Sequence, residues 1–238
     1  MRLASEQPSK ATFEAHVRPL SSLPGTESKG LAASLRGLLC PSLSLAHNPR
    51  TLIQLVVQSL TPSTVDGFSP SLIAACINAS SLALLNAGSI PMTGVVCAAA
   101  VSWHRPSEKD DALSLVLDPS ETESREGLGC GCFAFLFATE IGGSQRSSTW
   151  PDARLVWTNW HAKGGVFDES QLARAHALGF AGAETVWKAI KQSIPEMGGL
   201  RSLPLPGQPT EEGPGDVAPS GDDFKVDEEE SDDAKVEI

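Results

Sequence analysis

Ser69-Pro70-Ser71-Leu72-Ile73-Ala74-Ala75-Cys76-Ile77-Asn78-Ala79-Ser80-Ser81-Leu82-Ala83-Leu84-Leu85-Asn86-Ala87-Gly88 is a helix written with both of its ends. Ser69 can cap the first turn, and Pro70 falls at the first helical position, where its missing N–H is not needed. Gly88 supplies the left-handed residue that closes a helix, and Pro91 keeps the chain from resuming it. No charged residue lies between them, and Ala74, Ala75, Ala79, Ala83 and Ala87 are small enough to let a sheet come close. The pattern predicts a central helix, buried on most sides.

Upstream, Ala11 to Arg18 alternates Phe13, Ala15 and Val17 against Thr12, Glu14 and His16, as a half-buried strand does. Gly25 to Gly30 reads as loop, and Leu31, Leu35, Leu38 and Leu39 then recur at helical spacing as far as Pro41. Arg50 to Leu60 sets Ile53, Leu55 and Val57 on one face and Leu52, Gln54, Val56 and Gln58 on the other. A strand covered on one face and partly on the second is expected.

Downstream, Thr93 to His104, Ala112 to Asp118 and Cys130 to Glu140 are strand candidates, the first and third too apolar to have one face in water. Arg154 to Trp160 is a fourth, beyond a Gly/Ser-rich loop. Asp168 with Gln171 resembles a capping box, and Ala183, Val186, Trp187, Ile190 and Ile194 share one face of the helix it opens, which Pro195 is expected to stop. Strand, helix, strand, helix, several strands and helix, in that order, define a mixed α/β (α+β) domain.

The formal net charge of −11 is not evenly spread. Residues 201–238 carry three basic side chains against twelve acidic ones, so the rest of the chain is nearly neutral. The expected organisation is a disordered N-terminus over residues 1–10, a folded domain over 11–197 and an acidic disordered tail over 198–238, too poor in large apolar side chains to offset the entropy of ordering. No stretch has the make-up of a secretory signal, and no run approaches the roughly 20 apolar residues of a membrane-spanning helix. The odd set of five cysteines, three of them inside apolar runs, suits a reducing compartment. These features predict a soluble intracellular protein with no membrane partner.

Pro49-Arg50-Thr51-Leu52-Ile53-Gln54 leading a strand, then the Ala/Asn-rich helix to Gly88, then Ile90-Pro91-Met92, resembles the RNase PH family. Leu155-Val-Trp-Thr-Asn-Trp160, Asp168-Glu169 and the final helix with Ala183-Glu184 and Val186-Trp187 are most similar to its branch of eukaryotic exosome ring subunits. The resemblance covers about residues 11 to 195. It implies an RNase PH-like fold, a ribosomal protein S5 domain 2-like β-α-β sandwich. The segment with an Arg-Asp-Gly motif that opens family members has no match here, so the domain is expected to lack its first strands and to show an unpaired sheet edge.

Phosphorolysis, the chemistry of active relatives, needs cations and hydroxyl or backbone donors for inorganic phosphate, and carboxylates for metal binding or proton transfer. Those relatives carry a phosphate-binding Gly-Thr-Arg motif just before the central helix. Here that place reads Asp66-Gly67-Phe68-Ser69-Pro70-Ser71, without Arg or Lys. Their Asp pair follows a strand ending in Leu-Asp, and at its spacing beyond Leu117-Asp118 a carboxylate at Glu123 is matched with Gly129. Glu123 is therefore a vestigial candidate, read with Glu121 and Glu126 as solvated loop charge. No catalytic residue, no metal site and no cofactor is expected.

Other constellations favour packing. Cys130-Gly131-Cys132 lacks a second Cys/His pair, and Gly127 to Gly131 enters a strand and opens no helix, so it reads as a turn. His16, His47, His104, His161 and His176 are scattered without a Ser or Cys partner that the sequence can place. Asn78-Ala79-Ser80 matches a glycosylation acceptor but falls in the buried helix. Arg105 and Lys109 flank a loop and are the candidates for holding RNA phosphates, while Trp103, Trp157 and Trp160 could serve either core or interface.

The resemblance implies an architectural, non-catalytic subunit supporting 3′ to 5′ RNA processing and degradation. Its partners would be other RNase PH-like ring subunits, RNA-binding cap subunits and an associated hydrolytic nuclease, with RNA threading the channel in the nucleus, nucleolus and cytoplasm. The alternatives are an active phosphorolytic 3′ to 5′ exoribonuclease and a degenerate fragment without a stable partner.

Overall fold

The computed structural model describes residues 8–20, 25–61, 68–104, 114–138, 153–163 and 168–201, with side chains to residue 194. Its elements are strand β1 (Thr12–Arg18), helix α1 (Thr26–Leu39), strand β2 (Leu52–Gln58), helix α2 (Pro70–Ala87), strands β3 (Val95–His104) and β4 (Ser114–Leu117), short helix α3 (Glu121–Glu126), strands β5 (Gly129–Phe137), β6 (Ala153–Thr158) and β7 (His161–Ala162), and helix α4 (Glu169–Arg201).

β1 and β2 pair in parallel, Thr12 opposite Leu52 through Arg18 opposite Gln58, with α1 as the crossover between them. Parallel neighbours need such a connection, and Leu31, Leu35, Leu38 and Leu39 of α1 bury its inner face. The other strands form an antiparallel sheet in the order β4-β3-β5-β6, with β7 also on β5. α2 and α1 lie between the two sheets, and α4 covers the far face of the larger one. The two faces differ in kind. Toward α2 the sheet shows Ala98, Ala100, Cys132 and Ala134, and toward α4 it shows Val101, Phe133, Phe135 and Phe137. Small residues let α2 approach; Phe137 stacks on Phe180 and Trp187 of α4, 5.8 Å from the latter, and Phe135 meets Phe180 edge-on.

α2 has the ends its sequence predicts. The Ser69 hydroxyl accepts the Leu72 N–H, and Gly88 closes the helix with φ 64°. It is also the described helix long and apolar enough, by length and composition, to cross a bilayer, yet Ile73, Ile77 and Leu84 sit in the core. Burial on most sides is not observed. Ala75, Ala79, Leu82 and Ala83 form an exposed stripe, because the two sheets cover only part of the helix surface and small side chains do not demand more. β2 differs similarly. Leu52 is 58% exposed and Val56 45%, so its second face is open where partial cover is expected from its apolar residues. Among the described residues neither β1 nor β2 pairs with a further strand.

Three further boundaries depart from expectation. α1 begins at Thr26, a turn before the apolar spacing starts, and Gly30 is helical. The acidic stretch after Leu117 is not loop but α3, capped as described below. α4 continues through Pro195 to Arg201, past the boundary set at residue 197, since an interior proline removes one hydrogen bond without always ending the helix. Residues 1–7 of the predicted N-terminal tail and residues 202–238 of the acidic tail lie outside the described residues.

Candidate functional site

The two sequence segments that carry phosphorolysis in active relatives meet in space. Ser71, in the first turn of α2, donates its hydroxyl hydrogen to the Pro119 carbonyl at 2.6 Å, joining the helix start to the exit of β4. Asp118 makes that exit possible with a left-handed backbone, φ 51°, which Asp tolerates better than most residues. Its N–H donates to the Ala100 carbonyl at 2.9 Å. Between α2, the edge of β3, the end of β4 and α4 lies a cleft of about 320 Å³. Its polar lining is Ser71, Asn78, Asp118 and Thr185; the rest is Ala, Gly, Leu and Val.

Most of that polarity is already engaged. Asn78 donates from Nδ2 to the Ala98 carbonyl at 2.9 Å and accepts the Ala98 N–H at Oδ1 at 2.8 Å. β4 pairs with β3 only from Val101 to His104, so beyond it the side chains of α2 stand in for a strand. Ser81 does the same, donating to the Val96 carbonyl at 2.6 Å. This use of the Asn78-Ala79-Ser80 triplet was missed from sequence. The available signal is that Asn78 and Ser81 share the helix face of Ile73, Ala74 and Ile77, where polar groups must find buried partners. Thr185 donates to Ala181 within α4. Among the described residues that line the cleft, Asp118 is the one ionisable group, and none is Arg or Lys. Phe68 to Ser71 lead into α2, and Asp66 and Gly67 lie outside the described residues.

Glu123 has a structural job. It is the third residue of a capping box: its carboxylate accepts the Ser120 N–H at 2.7 Å, and the Ser120 hydroxyl accepts the Glu123 N–H at 3.3 Å. The bond from the Ser120 backbone, then that from its hydroxyl, hold the Glu123 carboxyl below the usual range. Glu121 pairs with Arg125 one turn on, at 3.0 Å. Gly129, where the resemblance implies a second carboxylate, pairs with Ala162 of β7. A Cβ there would come 3.2 Å from the His161 carbonyl oxygen and 3.4 Å from Trp160, so a longer side chain would have to displace those neighbours.

Cys130 and Cys132 are buried, and burial pushes both thiols up, Cys132 to about 12. Neither is poised as a thiolate. Among the described residues no three His, Cys, Asp or Glu side chains gather in a way that could hold a metal ion. Two histidines do find the Ser and Cys partners that sequence could not place. Ser44 and His47 Nδ1 are 2.7 Å apart on the surface, one turn apart in the chain, and Cys130 Sγ lies 3.4 Å from His161 Nε2. His16 sits beside Glu14 at 3.6 Å, and His176 packs edge-on against Phe135 at 5.2 Å. His104 Nε2 is buried and finds no hydrogen-bond partner among the described residues.

Trp103 is buried, Trp157 packs on the α2-side core, and Trp160 crosses Gly131 to lie 5.8 Å from Phe133. All three contribute to packing within the chain. Arg105 and Lys109, the candidates for RNA phosphates, lie outside the described residues.

No family model matches the sequence. The chain is 32% identical over 111 residues to the exosome complex component rrp46 of Schizosaccharomyces pombe, a match covering 47% of this chain and 46% of that protein. It is 28% identical over 133 residues to the exosome complex component RRP46 of Saccharomyces cerevisiae, covering 56% and 57%. The chain thus spans about half the length of the curated relatives it matches. The crystal structure of rice (Oryza sativa) Rrp46 superposes with a TM-score of 0.60 at 20% identity, over 81% of this chain and 77% of that one. The fold is therefore an RNase PH-like α/β fold. The chain is thus similar to Rrp46 proteins, in sequence over part of its length and in fold.

Proposed function

We propose that the protein is a non-catalytic structural subunit of the RNA exosome ring, supporting 3′ to 5′ RNA processing and degradation, including rRNA maturation. It packs against other RNase PH-like subunits beneath RNA-binding cap subunits. RNA passes through the shared channel to an associated hydrolytic nuclease, in the nucleus and nucleolus and also the cytoplasm. Arg105 and Lys109 hold RNA phosphates. The names of the yeast relatives support assembly into an exosome.

The observation that carries the loss of catalysis is the cleft between α2 and α4. Its described lining offers one carboxylate, Asp118, and no cation to hold inorganic phosphate. Glu123, the remaining carboxylate of the motif, is committed to Ser120. Preorganised charge supplies much of the rate in such chemistry, so a site without it has little to offer a phosphoryl group.

Two measurements test the proposal. Purified protein incubated with RNA in phosphate buffer is expected to release no nucleoside diphosphates above an enzyme-free control. Release abolished by Glu123→Ala would establish the alternative, a phosphorolytic exoribonuclease. Tagged protein is expected to co-purify with ring and cap subunits, and recovery of none of them would favour an unpartnered fragment.

A further inference from the structure

The cleft between α2 and α4 follows the part of β3 that β4 leaves uncovered, floored by Ala98, Ala99 and Ala100. It has no room in its main-chain bonding for an added strand. Asn78 holds both main-chain groups of Ala98, Ser81 holds the Val96 carbonyl, and the Asp118 N–H holds that of Ala100. What remains open to a ligand is apolar surface, with Ala75 and Leu117 exposed along it, and one charge. The volume of about 320 Å³ falls at the lower end of the roughly 300–1,000 Å³ typical of ligand pockets. The charge is Asp118. Its carboxylate has no ion pair and no hydrogen bond among the described residues, whereas Glu121 and Glu184 each pair with a cation one turn on. Its left-handed backbone, φ 51°, is held at a cost in free energy, a kind of strain that gathers at binding sites.

We propose that this cleft receives an arginine side chain from a partner protein, its aliphatic stem along the alanines and Leu117 and its guanidinium on the Asp118 carboxylate. Arginine suits the cleft better than lysine. A guanidinium is planar and more weakly hydrated than an ammonium, so it enters a slot walled by Ala, Gly, Leu and Val with less loss of solvation. Two of its N–H groups also match the two oxygens of a single carboxylate. An RNA phosphate carries the wrong sign of charge for this site. The assignment goes beyond the proposed function and stands whether or not the chain joins an exosome ring.

The test is a titration of the isotopically labelled full chain with a leucine-arginine-leucine peptide, blocked at both ends and followed by amide NMR shifts. Shifts are expected to gather at Ala75, Asn78, Ala99 and Thr185. The same peptide with citrulline in place of arginine keeps the shape and loses the charge, and is expected to bind at least about tenfold more weakly. Asp118→Asn keeps a residue that tolerates the left-handed backbone and is expected to weaken the arginine peptide to the same extent, with the thermal melt unchanged. Ala75→Phe fills the cleft from an exposed helix position and is expected to abolish the shifts. The absence of shifts at the cleft overturns the proposal, as does equal binding of the citrulline peptide or an Asp118→Asn variant that binds like the parent. Free arginine bound as tightly as the peptide overturns the assignment to a partner protein.

Discussion

The side-chain amide of Asn78 pairs with both main-chain groups of Ala98, so that a helix closes the part of a strand edge that β4 is too short to cover. Asn78→Ala would leave a buried N–H and a buried C=O without partners at once. We expect a loss of roughly 2–4 kcal/mol in urea unfolding, and Ser81→Ala, which frees one carbonyl, should lose about half as much.

Core and surface alternate within a few residues of α2. Leu84 is 3% exposed and Leu82 38%. Leu84→Ala is expected to cost about 2–4 kcal/mol through transfer and cavity terms, whereas Leu82→Ala should stay within about 1 kcal/mol of the parent. Denaturant titrations of the two variants side by side check this.

Glycine substitutions should divide by sign. A Cβ at Gly131 would lie 2.6 Å from the Trp160 Cα, a main-chain atom that cannot swing aside, while one at Gly30 in α1 meets nothing within 4 Å. Gly131→Ala is expected to destabilise by about 2 kcal/mol or more, and Gly30→Ala to stabilise by about 0.5–1 kcal/mol. Thermal melts of both proteins give the signs directly.

Glu123 has a folded pKa below its unfolded one, so across the window between them the folded state binds fewer protons and stability rises with pH. The contribution is present above the ordinary glutamate value of about 4.3 and fades as pH falls through the lower, folded value. Glu123→Gln should therefore melt below the parent protein at pH 6, with the difference shrinking toward pH 3.

Thiol chemistry should count burial. Cys40 is exposed, while Cys76, Cys97, Cys130 and Cys132 are buried with their pKa values raised. A disulfide-exchange reagent at pH 8 is expected to titrate one thiol rapidly in the native protein and all five in denaturant.

What the sequence reveals and what it hides follow from how local each signal is. α2 is legible because Ser69, Pro70 and Gly88 act on their own neighbours, and β3 and β5 because a strand buried on both faces must be apolar throughout. The first turn of α1 is hidden because Glu27 and Lys29 are exposed there and make no apolar pattern. α3 is too short for periodicity, although Ser120 and Glu123 stand at capping-box spacing. At the candidate site, sequence shows that residues 66–71 hold no Arg or Lys and that Gly129 stands where the resemblance implies a second carboxylate. It cannot reveal that Ser71 reaches Pro119 or that β7 pairs alongside Gly129, since both depend on segments distant in the chain.

The small residues on the α2 side of the larger sheet act as a spacer of fixed thickness. Ala98, Ala100, Cys132 and Ala134 set how far the helix stands from the strands, and the reach of one asparagine spans that gap. Thickening the spacer by two methyl groups, as in Ala134→Val, would tilt or lift the helix like a shim under a hinge. The injury would then register at Ala98, on a neighbouring strand, as an amide swung out of range of its carbonyl.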